Sequence, residues 1–146
     1  MRFRYSFQKI VDLKNNERTQ AEWILSDAIV HLRNEETHLS TLSDSKNEIL
    51  TELATQSKSR TTISQMMLLQ SYSDHLEQQI VKKYEDIQVA QNVVVHKRER
   101  LSEKMLDEKV WSKAREKAFH KYRALVGKKE QETLDEMATN RYKRRS

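Results

Sequence analysis

Five histidines and 22 carboxylates are the side chains here whose types could support catalysis or metal binding. His31, Glu35 and His38 share one helical face, and three such ligands can in principle hold a divalent ion. No two histidines stand four residues apart, so the helical zinc-protease spacing is missing. The absence of cysteine removes thiolate nucleophiles, thiolate metal sites and disulfides. A single glycine leaves no Gly-rich loop to cradle a phosphate. With this many carboxylates on helices, close acidic pairs arise by chance and argue nothing about acid–base chemistry. His31, Glu35 and His38 sit at the edge of an apolar stripe, which reads as a solvated flank. The expectation is a protein that is not an enzyme and has no metal or cofactor.

Binding chemistry is better represented. Residues 109–146 carry 12 Lys/Arg against 5 Asp/Glu, a net +7, whereas residues 1–108 carry 15 against 17, a net −2. Trp111, Phe119, Tyr122 and Tyr142 are interleaved with these basic groups, a pattern able to contact phosphates and stack on bases. Glu130, Glu132, Asp135 and Glu136 place acid in the middle of the segment, and no nucleic-acid recognition motif is present. Nucleic acid is therefore not favoured as the main partner. A second candidate lies at Met66-Met67-Leu68-Leu69. Four consecutive residues at about 100° each span a whole helix circumference, so a two-helix seam hides only Met66 and Leu69 well. Met67, Leu68, Tyr72 and His75, with Gln79 beyond them, are left for a neighbouring face where Met supplies adaptable contact area.

The elements that position these residues follow from one glycine and no proline in 146 residues. About 17 would be expected at ordinary usage, and tight turns and left-handed caps depend on them. A chain without them is nearly all helix with very few connections. Charged residues reach 34%, the hydrophobic set 36%, and mean hydropathy is −0.90. That is too little apolar surface for a broad core, but enough for a coiled-coil seam of two residues in seven.

Two such stripes are present. The first runs Ala21, Leu25, Ala28, Leu32, Glu35, Leu39, Leu42, Lys46, Ile49, Leu53, with Phe3, Phe7 and Ile10 continuing it upstream and Ser6 as an N-cap. The second runs Met66, Leu69, Ser73, Leu76, Ile80, Lys83, Ile87, Ala90, Val94, Lys97, Leu101. Lys104 and Glu108 interrupt it before Trp111, Arg115, Ala118, Tyr122 and Leu125. Strict 4-3 spacing excludes disorder as the main reading. Between the stripes, a Ser/Thr cluster from Ala54 to Thr62 competes locally for backbone groups and reads as a turn. Thr62 and Gln65 fit a capping box.

The expected fold is all-α, an antiparallel two-helix coiled-coil hairpin with a longer, overhanging second helix. Helix one covers about 6–54, the turn about 55–60, helix two about 62–140 and a basic tail 141–146, as one coiled-coil domain. A single unbroken helix dimerising along its length is the alternative, but the polar break would leave a hole in its seam. Folding back at 55–60 places Lys83 opposite Leu32, and Phe3 to Phe7 near Glu108 to Ser112. The first helix is then used up near residue 112. Trp111, Ala118, Tyr122 and Leu125 are left without a complete internal partner, which implies an external one. The opening residues lack the apolar run of a signal peptide, and no segment is apolar enough to span a bilayer, so a soluble cytoplasmic protein is expected.

The opening Phe3-Arg4-Tyr5-Ser6-Phe7-Gln8-Lys9-Ile10-Val11-Asp12-Leu13-Lys14, with Glu17 following, resembles the start of the flagellar export protein family FliJ. Two spaced aromatics followed by Gln-Lys-aliphatic-aliphatic-Asp-Leu-Lys are typical of that family. The other end is similar too: Arg115-Glu116-Lys117 leading to Tyr122, Glu130-Gln131, Leu134-Asp135-Glu136, then Ala138, Arg141 and Arg144-Arg145. Trp111 stands where an aliphatic is more usual. The resemblance implies a non-enzymatic stalk of the flagellar type III export apparatus, similar to the shaft of rotary ATP synthases. Its paired termini would dock in the hexameric export ATPase through Phe3, Phe7, Trp111, Ala118, Tyr122 and Leu125. Its hairpin would engage the cytoplasmic part of the membrane export gate through Met67, Leu68, Tyr72 and His75. Export chaperones are further implied partners, and the stalk would lie peripherally at the cytoplasmic face of the membrane. The rival readings are the equivalent stalk of a virulence type III secretion system and a basic coiled-coil nucleic-acid adaptor.

Overall fold

A computed structural model of the chain describes residues 2–59 and 61–145. Arg60, within the expected turn, and Ser146, at the end of the expected basic tail, lie outside the described residues, as does Met1. Two helices account for nearly everything else: α1 over Gln8–Gln56, 49 residues, and α2 over Ile63–Arg145, 83 residues. They pack against each other as an antiparallel hairpin, and no strand occurs among the described residues. The stretch from 141 onward, expected as a tail, continues α2 as helix through Arg145.

Contacts group the chain into two units, one formed by residues 21–101 and one by the first 20 residues with those from 102 onward. In the 21–101 unit the seam holds Ala21, Leu76, Ile80, Ile87, Ala90 and Val94, all buried, together with the buried hydroxyl residue Ser73. Every position of the expected α1 stripe from Ala21 to Leu53 is at least half-buried, and so is every α2 position from Met66 to Leu101. The two charges lying in these stripes, Glu35 and Lys83, meet at 2.8 Å with only 16% and 19% of their side chains exposed. Their hydrogen bond holds the Glu35 carboxyl below its ordinary range and raises the Lys83 ammonium, outweighing the opposing cost of burial. Lys46 forms a second cross-helix pair with Glu77.

The partner of Lys83 is Glu35, three residues past the expected Leu32. The cause lies in the turn. Thr51 and Thr55 bond their hydroxyls to the carbonyls of Asn47 and Thr51, one turn back, so these polar residues stay within α1. The helix therefore runs to Gln56, where the Ser57, Lys58 and Ser59 amides close the end onto Leu53, Thr55 and Gln56 carbonyls. The start of α2 differs from a full capping box. Thr62 Oγ1 accepts from the Gln65 amide as expected, but the Gln65 side chain accepts from the Thr61 hydroxyl instead of reaching back to the Thr62 amide.

In the other unit the charges that interrupt the second stripe are answered from α1. Lys104 reaches Glu17 at 3.3 Å, lowering its carboxyl pKa chiefly by that hydrogen bond, and Glu108 is held by Arg18. Lys14 adds Asp107 at 3.7 Å. Because α1 residues here are charged, the apolar position is Val11, which is buried, and not Ile10 alone. Helix α1 also starts later than Ser6. The Phe7 carbonyl accepts from the Ile10 and Val11 amides, so the capping position belongs to Phe7.

Candidate partner-docking surfaces

Residues 2–5 carry no helix, and this changes what they cover. Phe7 lies against Trp111 with ring centroids 6.0 Å apart, while Phe3 contacts Phe119 at 5.2 Å and Tyr122 at 5.3 Å. Four residues of the N-terminal segment thus match eight to eleven residues of α2, or about 12–17 Å at the helical rise. Four residues of helix would advance only about 6 Å, so the segment runs more open than helix before it turns into α1, where the Gln8 amide donates to the Tyr5 carbonyl at 3.1 Å. The segment has aromatics at alternate positions, Phe3, Tyr5 and Phe7. Tyr5 meets Phe7 edge-on at 5.7 Å, completing a run of rings along α2. Arg115 ties the segment down, its guanidinium 5.7 Å over the Phe3 ring and its Nε donating to Gln8 Oε1 at 2.7 Å.

Trp111 and Tyr122 therefore have internal partners, contrary to the expectation that α2 runs unaccompanied from near residue 112. The structure brings Phe7 to Trp111 and Phe3 to Tyr122 in two neighbouring aromatic groups along α2, with Ala118 half-buried between them in sequence. Leu125 stands outside them, 60% exposed, and Val126 takes the half-buried position instead. Phe119 is a contact residue that the stripe did not include, and Arg115, which the stripe did include, makes its contacts as a cation. The alternating aromatics at 3, 5 and 7 were the available signal, since a period of two marks extended chain. From Gly127 to Arg144 every residue is exposed, including Leu134, Met137 and Tyr142. Lys109, Lys113, Lys117 and Lys121, four apart and all exposed, add a basic ridge.

Near the start of α2, Met66 and Leu69 are half-buried, while Met67, Leu68, Tyr72 and His75 are exposed, Leu68 by 71%. Ile63, not included in the expected patch, is also exposed. His31 and His38 are exposed and Glu35 between them is engaged by Lys83, so the three are not poised around an ion. No cluster of three metal-ligating side chains occurs among the described residues, and no helix there is long and apolar enough to cross a membrane.

A two-helix hairpin whose seam contains matched charges, and whose second helix carries exposed apolar and basic surface, defines a coiled-coil hairpin protein. The model of the flagellar FliJ protein family matches residues 3–146, and the chain belongs to that family. The family is a non-catalytic component of the flagellar export apparatus. No curated protein and no solved structure matches the chain.

Proposed function

We propose that this protein is the stalk that docks in the hexameric flagellar export ATPase and links it to the membrane export gate. The observation that supports this most is the helix from Gly127 to Arg144, exposed on all sides and following directly on the aromatic groups. A folded end that continues as bare helix, flanked by the lysine ridge, suits insertion into a ring with acidic inner loops. The contact area would come from Leu125, Leu134 and Met137, with the outer edges of Phe7 and Trp111. At the start of α2, the exposed Met67, Leu68, Tyr72 and His75 are the proposed gate contacts, with export chaperones as further partners. The protein would act in the cytoplasm at the membrane face of the apparatus. Membership of a flagellar family favours this reading over a virulence secretion stalk.

The test is ATP hydrolysis and ring assembly by the purified cognate export ATPase, with full-length protein and with a chain ending at Val126. The shortened chain keeps every aromatic contact and should retain its folded signal while losing stimulation. Full stimulation by it would remove the overhang from the docking role. Salt-sensitive RNA binding without any stimulation would favour the nucleic-acid adaptor.

A further inference from the structure

The exposed part of α2 carries a separated pattern of acidic and basic charge. Acidic residues gather at Glu130, Glu132, Asp135 and Glu136, and basic ones follow at Arg141, Lys143 and Arg144. Among the described residues, Glu130, Glu132, Glu136, Arg141 and Arg144 have no ion pair. Between the two blocks lie Leu134 and Met137, 59% and 60% exposed. Glu130 and Arg144 each stand seven residues from Met137. Seven residues are two turns, so the three share one stripe. That stripe continues the face that Phe3 covers at Tyr122, since Val126, Glu130, Thr133 and Met137 follow Tyr122 at steps of three and four.

We propose that two copies of this chain associate antiparallel through this stripe, about a two-fold axis at Met137. Reversing the direction of the second helix exchanges the acidic and basic blocks. Glu130 of each copy faces Arg144 of the other, Thr133 faces Arg141, and Met137 meets its own equivalent on the axis. A two-fold interface must complement itself, and a helix acidic on one side of its midpoint and basic on the other does so. The paired region, Glu130 to Arg144, is clear of the α2 residues, up to Tyr122, that the N-terminal segment contacts. It is about 21 Å long at the helical rise, which places it among small, reversible interfaces. The dimer is therefore weak, salt-sensitive and formed at micromolar concentration or above. It withdraws the same segment that a partner ring would use, although the inference stands on the charge pattern and does not depend on the stalk reading.

Sedimentation equilibrium of the full chain across micromolar to millimolar concentration, at low and high salt, is the first measurement. A monomer at every concentration would overturn the proposal. Glu130→Arg and Arg144→Glu are exposed changes that leave folding intact, which circular dichroism can verify. Each alone should weaken the dimer about tenfold or more, by replacing two attractive pairs with two repulsive ones. An equimolar mixture of the two variants should restore association, because each copy then supplies the charge that the other lacks. Dimers indifferent to the single reversals, or variants that fail to rescue each other, would refute the arrangement. In a chain without cysteine, Met137→Cys provides an independent reading. It should form a disulfide-linked dimer on mild oxidation, whereas Lys113→Cys should not, and equal crosslinking by both would also refute the axis.

Discussion

Replacing Phe3 with alanine tests whether the extended segment is held by its rings. Phe3 is half-buried, so about half of the 1.5–3 kcal/mol for a fully buried Phe is at stake, roughly 1 kcal/mol. Its two ring contacts, with Phe119 and Tyr122, contribute about 0.5–1.5 kcal/mol each, and Arg115 over the ring about 0.5 more at an exposed site. Some of this is offset by the freedom that the released segment regains. A net local cost of about 2 kcal/mol remains, or about thirtyfold in an opening equilibrium. The effect should be read at particular amides. Gln8 donates to the Tyr5 carbonyl, and Ile10 and Val11 donate to the Phe7 carbonyl, so the segment that Phe3 anchors supplies their acceptors. Hydrogen exchange at these three amides should accelerate by about that factor in Phe3→Ala, with amides from Leu39 to Leu53 unchanged. Phe3→Leu should fall between, since it keeps area but loses ring geometry and the guanidinium contact. Acceleration below about threefold, or an equal change in both regions, would mean that the first turn of α1 holds without its aromatic clip.

The Glu35–Lys83 pair gives the seam a pH dependence of known sign. Glu35 titrates below its ordinary 4.5, so its contribution is complete above that pH and is lost as pH falls through the lower folded value. Lys83 titrates above 10.5, so its contribution is complete below that pH and is lost as pH rises beyond it. Melting temperature should therefore fall more steeply below pH 4.5 in the natural chain than in Glu35→Gln, and parallel acid limbs would contradict this. Gly127→Ala meets open space, with nothing within 4 Å of the added Cβ. It should stabilise the exposed helix by about 1 kcal/mol, seen as roughly fivefold slower exchange in the residues just after it.

What could be read from sequence divides along physical lines. The positions of the seam from Ala21 to Leu53 and from Met66 to Leu101 were legible, because 4-3 spacing belongs to each helix by itself. The pairing between helices was not. It depends on how far the turn lets α1 run, and Thr55, which reads as part of the turn, serves the helix by bonding one turn back to the Thr51 carbonyl. The aromatic groups were half legible. Phe3, Phe7, Trp111 and Tyr122 were singled out, but assigning Phe3 and Phe7 to a helical stripe understated their reach by more than half. Beyond Tyr122 the 4-3 spacing of the covered face does not continue, and Val126 is half-buried where Leu125 was expected. The surfaces proposed for docking were visible as apolar residues in excess of the seam. What they touch is a property of other molecules.

The charges inside the seam bear on how this chain can change length. Apolar spacing is blind to the loss of seven residues from one helix, because a heptad removed leaves every remaining stripe in phase. Glu35 and Lys83 are not blind to it. After such a deletion between Glu35 and the turn, Lys83 would face an aliphatic such as Ala28, and Glu35 would be stranded among apolar neighbours. Glu17 with Lys104 and Arg18 with Glu108 impose the same condition in the other unit. Insertions and deletions in such a hairpin are therefore tolerated in matched pairs, one heptad on each side of the turn, and length becomes a trait that the two helices can only alter together.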